Sequence, residues 1–184
     1  NKDNVVTLYK GHQLEGYQVE PTSRESLELS QTDVVAFCAA HVRPSKGIST
    51  LLEATKFITT PNFHLVLAGS GYEPHFDEMK NSPISDRIHY IGHRKDIPSL
   101  MAMSDIQVQP SVSGEGLPRT IIEAMANGTA SVVTTTGGAP ELVEDGQTGF
   151  VVPTADAQAL GEAINHIAQD KQQSIEMGTV SYTH

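Results

Sequence analysis

Two glutamates, one in a glycine-rich turn and one eight residues later, have a spacing that indicates a ligand-binding site. Glu115 lies between Gly114 and Gly116, and Glu123 follows on the far side of the turn. Pro118 predicts the first turn of a helix, because its missing N–H and fixed φ cost least there. Glycine has no Cβ and lets backbone approach a ligand closely, and the free N–H groups of a first helical turn suit an anion. The pattern therefore predicts an anion site between two carboxylates.

This layout matches a nucleotide sugar, which has a sugar at one end, a ribose at the other and a diphosphate between them. The second glutamate would lie roughly 8 Å along the helix axis, at about 1.5 Å per residue. Carboxylates accept strong, charge-assisted hydrogen bonds from vicinal hydroxyl groups. The spacing alone leaves an ordinary alternative open, because a glutamate in a loop and one on an amphipathic helix are usually solvated.

Basic residues follow the first predicted strand of the domain, at 34–39. Residues 41–47 read His-Val-Arg-Pro-Ser-Lys-Gly, and the carboxyl end of a parallel strand is where open α/β sheets bind ligands. Lys46 would act as a point charge on a phosphate, whereas Arg43 could engage two oxygens. Taken alone, two basic residues in a loop more often face solvent, and that alternative also stays open.

The composition limits the class of protein. The 184 residues include 12 Lys and Arg against 22 Asp and Glu, for a net charge of −10. An acidic surface disfavours nucleic acid and anionic lipid, and no apolar run approaches the ~20 residues of a membrane span. The single cysteine, Cys38, lies in an apolar run, so we expect a buried, inert thiol in a reducing compartment. We therefore expect a cytoplasmic protein that makes no nucleic-acid contact and no direct membrane contact.

Short apolar runs rich in branched residues alternate with amphipathic segments, which is the pattern of βαβ units. We therefore predict an α/β fold, a Rossmann-like parallel sheet of about six strands with helices on both faces. A short strand at 5–9 and a short helix at 23–29 are predicted ahead of this domain. The six predicted strands cover residues 34–39, 63–68, 87–91, 105–109, 130–134 and 149–153.

Apolar spacing and capping residues indicate where helices begin and end. Apolar side chains recur with a 3.6-residue period after residue 47 and again from about Asp156. Asp96 is a candidate N-cap for a helix through Met103. Gly128 is expected to end the helix that begins near Pro118.

The stretch 115–123 reproduces the E-x7-E signature of retaining GT-B glycosyltransferases, and residues 123–128, Glu-Ala-Met-Ala-Asn-Gly, resemble the helix that follows in family 4 of those enzymes. Lys46-Gly47 and the Gly-Gly-x-Pro-Glu turn at 137–141 resemble further motifs of this family. The resemblance covers roughly residues 32–170. It implies that the chain is the C-terminal, donor-binding half of a GT-B fold.

The resemblance implies roles for individual residues. Glu115 would hold the hydroxyl groups of the donor sugar, and Glu123 would hold the ribose diol. Lys46 and Arg43 would act with Glu115 as catalytic residues, by stabilising the leaving diphosphate. His41 stands where many members of the family have the arginine that contacts the diphosphate, so His41 and Arg43 are alternatives for that role. The other donor-binding residues implied are Ser111, Gly116, Leu117, Gly69, Gly71, Gly92, His93 and Arg94. For Gly69 and Gly71 an ordinary turn between strand and helix is an equal alternative.

Neither a metal site nor a cofactor is expected. The sequence contains no Asp-x-Asp motif that would hold a divalent ion on the phosphates, and its eight histidines form no ligand pattern with a neighbour. The partners implied by the resemblance are a nucleotide-sugar donor and an N-terminal acceptor-binding domain of the same polypeptide. The predicted organisation is a linker with the first short elements at 1–30, a nucleotide-sugar-binding domain at 31–170 and a truncated C-terminal tail at 171–184.

The expected function is that of the donor-binding domain of a retaining hexosyltransferase. Such an enzyme would move a sugar to an acceptor hydroxyl in polysaccharide, lipopolysaccharide or glycolipid synthesis, and the full-length protein could be peripheral to a membrane. This fragment alone is expected to be inactive, since it lacks the other wall of the cleft. The alternatives are a non-catalytic or regulatory nucleotide-sugar-binding GT-B domain, or a GT-B epimerase.

Overall fold

A six-stranded parallel sheet forms the framework of the protein in the computed structural model, which describes residues 17–183. The strand predicted at 5–9 lies outside the described residues. The strand order is β3-β2-β1-β4-β5-β6, and the predicted α/β class with a parallel sheet is confirmed. The strands are β1 (Val34–His41), β2 (Phe63–Ser70), β3 (Ile88–Tyr90), β4 (Ile106–Gln109), β5 (Ala130–Thr134) and β6 (Gly149–Val152).

Seven α-helices connect or follow these strands in the described part of the chain. They are α1 (Ile48–Ala54), α2 (Phe76–Lys80), α3 (Ile97–Met103), α4 (Arg119–Ala126), α5 (Ala139–Leu142), α6 (Ala157–Gln169) and α7 (Lys171–Thr183). The predicted helix at 23–29 is a shorter 3₁₀ helix, Arg24–Leu27. No described helix is long and apolar enough to cross a membrane.

The order of the strands reverses between β1 and β4. The chain builds outward from β1 to β2 and β3, and then returns to add β4, β5 and β6 on the other side of β1. In open α/β sheets ligands bind beyond the carboxyl ends of the strands at such a switch point. The topology therefore predicts a site beyond the ends of β1 and β4.

Both faces of the sheet are buried, which explains the near-continuous apolar runs of its strands. Along β1, Ala36 and Cys38 join the core under α1 and α6, whereas Val35 and Phe37 join the core under α3 and α4. Burial raises the pKa of the Cys38 thiol to about 12. The thiol therefore stays protonated and unreactive at neutral pH.

The strands β1 and β2 extend further than the apolar runs predicted. Both continue to polar residues because their register pairs Ala40 with Gly69 and His41 with Ser70. A side chain at Gly69 would place its Cβ 1.8 Å from the carbonyl oxygen of Ala40, so a glycine is required for this pairing. The extension carries His41 to the carboxyl edge of the sheet.

Helix α7 packs on the domain. Met177 is buried in the core, and Ser174 donates a hydrogen bond of 2.9 Å to the carbonyl oxygen of Asp105. A Cβ at Gly178 would lie 1.8 Å from the carbonyl oxygen of Gly128, so helix and loop touch through their backbones. Ser174, Met177 and Gly178 lie in the segment 171–184, which the sequence predicted to be a truncated tail. The predicted domain boundaries remain predictions.

Candidate functional site

Two adjoining cavities lie beyond the carboxyl ends of β1, β2 and β4. The larger has a volume of about 530 Å³ and the smaller of about 320 Å³. Together they form a groove at the place that the strand order predicts. The residues that line both cavities are Ala39, Ala40, His41, Arg119 and Thr120.

Lys46 reaches the smaller cavity from the 3₁₀ turn Pro44–Lys46 between β1 and α1. The turn ends at Gly47, which has a φ of 65° and whose Cβ would lie 2.0 Å from the carbonyl oxygen of Pro110. Only glycine accommodates both that conformation and that contact. The turn thereby aims Lys46 at Glu115, and its Nζ lies 2.5 Å from the Glu115 Oε1.

The Glu115 carboxylate is held by several donors on one oxygen. Besides Lys46, the Ser111 hydroxyl donates to Oε1 at 2.6 Å and the Gln109 Nε2 donates to it at 3.2 Å. Although burial would raise the pKa of Glu115, hydrogen bonds from Lys46 and Ser111 hold it below its usual value. Glu115 is therefore anionic at neutral pH, and no described residue donates to its Oε2. That oxygen is available to hydroxyl groups of a ligand.

The turn before α5 supports the Glu115 loop from behind. Gly138 donates a backbone hydrogen bond of 2.8 Å to the carbonyl oxygen of Gly116. Gly137 has a φ of 60°, and its Cβ would lie 2.1 Å from the carbonyl oxygen of Glu115. Both glycines approach the loop that carries Glu115.

Glu123 faces the larger cavity from α4. Glu123 is 4% exposed, and its Oε1 lies 2.9 Å from the Arg119 Nε in an ion pair. Burial raises the pKa of Glu123, and the opposing effect of Arg119 is smaller. Helix α4 begins at Arg119, one residue later than predicted, because Pro118 has a ψ of 119° and stands at the N-cap position outside the first turn.

The other basic candidates differ in their surroundings. The His41 Nδ1 lies 2.6 Å from the Ser70 Oγ, and His41 lines both cavities. Arg43 is exposed, lines only the smaller cavity and has no ion pair with a described residue. The structure thus brings both alternatives for the diphosphate-binding cation to the groove.

Arg94 lines the larger cavity with its guanidinium engaged by a neighbour. Its Nε and Nη2 donate to the two carboxylate oxygens of Asp96 at 2.8 and 2.6 Å, and this pairing lowers the pKa of Asp96. Asp96 stands at the N-cap position of α3, but its side chain makes no cap hydrogen bond. The predicted N-cap position of Asp96 and the end of the helix at Met103 are confirmed, but the carboxylate pairs with Arg94 instead of capping the helix.

The remaining predicted residues lie at the groove or directly behind it. Gly69 and His93 line the larger cavity, and the Gly69 N–H donates to the carbonyl oxygen of Gly92 at 2.8 Å. Ser111 is fully buried behind Glu115. Five of the predicted residues line neither cavity: Gly71, Gly92, Ser111, Gly116 and Leu117. The ligand-binding roles of all the predicted residues remain predictions.

Sequence reasoning did not single out three polar side chains of the groove, Gln109, Arg119 and Thr120. Gln109 links β4 to α4, because its Oε1 accepts from the Thr120 hydroxyl at 2.8 Å while its Nε2 donates to Ser111 and Glu115. Arg119 lines both cavities. Its position four residues before Glu123 on a predicted helix was the available signal, since such pairs share a helix face.

Among residues 17–183 no group of three or more His, Cys, Asp and Glu side chains could hold a metal ion. The nearest approach to such a group is a pair of histidines at the amino edge of the sheet. The His64 Nδ1 lies 2.9 Å from the His89 Nε2, and the His64 Nε2 lies 3.5 Å from Asp33. The sequence expectation that the groove works without a metal stays a prediction.

Comparison with known proteins gives consistent matches. The family model of "Glycosyl transferases group 1" matches residues 19–183. N-acetyl-alpha-D-glucosaminyl L-malate synthase of Bacillus anthracis is 27% identical over 155 residues, which cover 82% of this chain and 40% of that protein. Phosphatidyl-myo-inositol mannosyltransferase of Mycobacterium leprae is 29% identical over 168 residues, which cover 89% of this chain and 42% of that protein.

A solved structure agrees in fold with the whole described domain. Alr3699/HepE of Anabaena in complex with UDP-glucose superposes with a TM-score of 0.85 at 27% identity, over 95% of this chain and 50% of that one. The chain therefore spans half or less of the length of these relatives. Its fold is that of the Rossmann-like C-terminal domain of GT-B enzymes.

Proposed function

Because this chain belongs to the family of group 1 glycosyl transferases, we propose that it is the donor-binding domain of an enzyme that moves a sugar from a nucleoside-diphosphate sugar to an acceptor hydroxyl. One observation carries the proposal. Glu115 and Glu123 line the two cavities of one groove, with basic side chains between and beside them. This arrangement fits a ligand with hydroxyl groups at both ends and negative charge in the middle.

Each end of the groove suits one end of such a donor. The Glu123 carboxylate engages Arg119 through Oε1, which leaves Oε2 for a ribose diol in the larger cavity. The Glu115 carboxylate has its donors on Oε1, which leaves Oε2 for sugar hydroxyls in the smaller cavity. A charge-assisted hydrogen bond to each diol would fix the direction in which the donor binds.

The main barrier in the transfer is the departure of a diphosphate with growing negative charge. Lys46 and Arg43 line the smaller cavity, where they would stabilise this charge electrostatically. We propose transfer with retention at the anomeric carbon and without a metal ion. The E-x7-E spacing supports retention, and the basic side chains at the groove support a metal-independent mechanism.

The acceptor would bind between this domain and a second one. The chain covers 40% and 42% of two relatives and half of the HepE chain, which supports an N-terminal acceptor-binding domain in the full-length protein. The name of the Mycobacterium leprae relative supports a glycolipid acceptor, as one of the polysaccharide, lipopolysaccharide or glycolipid classes. The single, buried Cys38 supports a cytoplasmic location, with any membrane contact made by the full-length protein.

The donor is tested by titrating the chain with UDP, GDP, ADP and their glucose derivatives, with calorimetry and thermal shift as readouts. A ligand at a hundred times its dissociation constant adds ~2.7 kcal/mol to the unfolding free energy. We expect one nucleotide to bind selectively, and the UDP-glucose complex of the Anabaena structure makes UDP the first candidate. We expect EDTA to leave the affinity unchanged. If no nucleotide binds, the proposed function is wrong, and an EDTA-sensitive affinity would overturn the metal-independent mechanism.

A further inference from the structure

The two cavities of the groove meet along a border, and the side chains at this border lie where the middle of a donor must pass. Glu123 lines only the larger cavity, whereas Glu115 and Lys46 line only the smaller one. A nucleotide sugar that reaches from one glutamate to the other therefore crosses the border with its diphosphate. His41, Arg119 and Thr120 contribute the polar side chains there.

Arg119 supplies the guanidinium at this border. The other lysine and arginine side chains of the groove are engaged or stand to one side of the border. Lys46 is paired with Glu115 and Arg94 with Asp96, and Lys95 lines only the larger cavity. Arg43 lines only the smaller cavity. A guanidinium presents donors in a planar fork that matches two phosphate oxygens, which an ammonium cannot do. The side chain best suited to a diphosphate therefore stands at its expected position.

The contacts of Arg119 leave most of its donors available. Its Nε forms an ion pair with the Glu123 Oε1 at 2.9 Å, and its Cζ lies 5.4 Å from the centroid of the Tyr17 ring. The Arg119 side chain is 69% exposed, and within residues 17–183 neither of its Nη groups has a hydrogen-bond acceptor. Glu123 and Tyr17 thus orient the guanidinium while its Nη groups remain open to a ligand.

We propose that Arg119 binds the diphosphate of the donor through its Nη groups while its Nε holds Glu123. One side chain then joins the ribose site to the diphosphate site. The inference rests on the proposed function, because it requires a nucleoside diphosphate in the groove. It assigns to Arg119 the role for which the sequence offered His41 and Arg43 as alternatives.

The proposal is tested by comparing Arg119→Met with the unaltered chain, using the nucleoside diphosphate that binds best and the matching nucleoside. Titrations followed by NMR chemical shifts cover both weak and tight binding. We expect the dissociation constant for the diphosphate to rise about tenfold to hundredfold, and that for the nucleoside to rise much less, because only the contact with Glu123 is lost there. Arg119→Lys should restore part of the loss, because it keeps the charge without the fork. Lys80→Met, which removes a positive charge from a 76% exposed side chain outside both cavities, should have no effect.

A second comparison, made in a variant that already lacks the Glu123 carboxylate, distinguishes diphosphate binding by Arg119 from a role confined to positioning Glu123. In Glu123→Gln the charged partner of Arg119 is gone, so a positioning role predicts that Arg119→Met has no further effect on diphosphate affinity. We expect the loss to persist in that background. A loss that disappears there, or one that is equal for nucleoside and diphosphate, would overturn the assignment of Arg119. If the unaltered chain binds the diphosphate and Arg119→Met binds it equally well, only this assignment fails, whereas a chain that binds no nucleoside diphosphate refutes the proposed function as well.

Discussion

At the scale of single residues, the groove shifts the pKa values of its two carboxylates in opposite directions. Glu115 has a lowered pKa because Lys46 and Ser111 outweigh its burial. Glu123 has a raised pKa because its burial outweighs Arg119. A carboxylate with a raised pKa costs stability in its ionised form, and such groups concentrate at functional sites. The sequence could place both glutamates by their spacing, but the opposite directions of their pKa shifts depend on neighbours that only the fold brings together.

Glu123→Gln should make the chain more stable and weaken nucleotide binding. The folded-state pKa of Glu123 lies above its usual value of 4.5, so the stability that its protonated form gives is present below pH 4.5 and is lost as the pH rises through the folded pKa. Urea unfolding should therefore show the variant to be more stable at pH 8, with the difference shrinking as the pH falls through the folded pKa and absent below pH 4.5. Nucleotide affinity should fall about tenfold to hundredfold.

The matched control for that variant is Glu162→Gln, which changes an exposed glutamate on α6 and should alter neither quantity. A Glu123→Gln variant that is less stable than the original at pH 8 would show that the pair with Arg119 outweighs the cost of burial.

Glu115→Gln should remove the contribution of the sugar to binding. Lys46, Ser111 and Gln109 hold one carboxylate oxygen of Glu115. We expect the other carboxylate oxygen to bind sugar hydroxyls. We expect the affinity for the nucleotide sugar relative to the nucleoside diphosphate to fall by roughly tenfold, or about 1.4 kcal/mol. Affinity for the diphosphate itself should be kept or increased, because Lys46 loses its carboxylate partner. Calorimetric titration with both ligands measures the ratio, and an unchanged ratio would refute the sugar-binding role.

At the scale of elements, backbone contacts at glycines set the shape of the groove. The turn before α5 supports the Glu115 loop through Gly137, and the Lys46 turn rests on the loop after β4 through Gly47. Sequence patterns predicted the strands well, because their branched apolar runs are distinctive. They could not predict that β1 and β2 continue to polar residues, since that depends on the pairing of Ala40 with Gly69.

Gly137→Ala should distort the groove. Its Cβ would lie 2.1 Å from the Glu115 carbonyl oxygen at a φ of 60°, so the Glu115 loop must move. We expect a stability loss of about 1–3 kcal/mol, together with a loss of nucleotide-sugar affinity. Denaturant unfolding and calorimetric titration measure the two effects.

Gly146→Ala is the control for backbone strain, because Gly146 has a φ of 76° with open space around its Cβ position. That variant should lose about 1–2 kcal/mol of stability from the left-handed conformation and keep its nucleotide affinity. Equal affinities for Gly137→Ala and Gly146→Ala would contradict the supporting role of the α5 turn.

At the scale of the whole molecule, the two edges of the sheet have separate tasks. The carboxyl edge carries the groove, and the amino edge carries structural polar clusters. Arg24 and Asp105 form a buried ion pair of 2.9 Å there, which sequence analysis did not foresee because the two residues are distant in the chain. Helix α7 was also missed as part of the domain, since its polar sequence has no apolar stripe and part of its contact is made by the backbones of Gly178 and Gly128.

The histidine pair at the amino edge should make stability depend on pH. Burial lowers the pKa of both His64 and His89 below 6.5, so the unfolded chain takes up protons first as the pH falls. Stability is therefore present above pH 6.5 and lost as the pH falls from there through the folded pKa values. His89→Gln should reduce this loss. Urea unfolding between pH 7.5 and 5.5 measures it, and equal pH dependence in both proteins would contradict the account.

We expect one donor to lie across the groove with its ribose at Glu123 and its sugar at Glu115. The most direct test is a crystal structure of the chain with the nucleotide sugar that binds most tightly in titration. We predict a ribose diol within hydrogen-bond distance of the Glu123 carboxylate, sugar hydroxyls on Glu115 and a diphosphate between them at Arg119. A donor bound in the reverse direction, or outside the two cavities, would contradict the account.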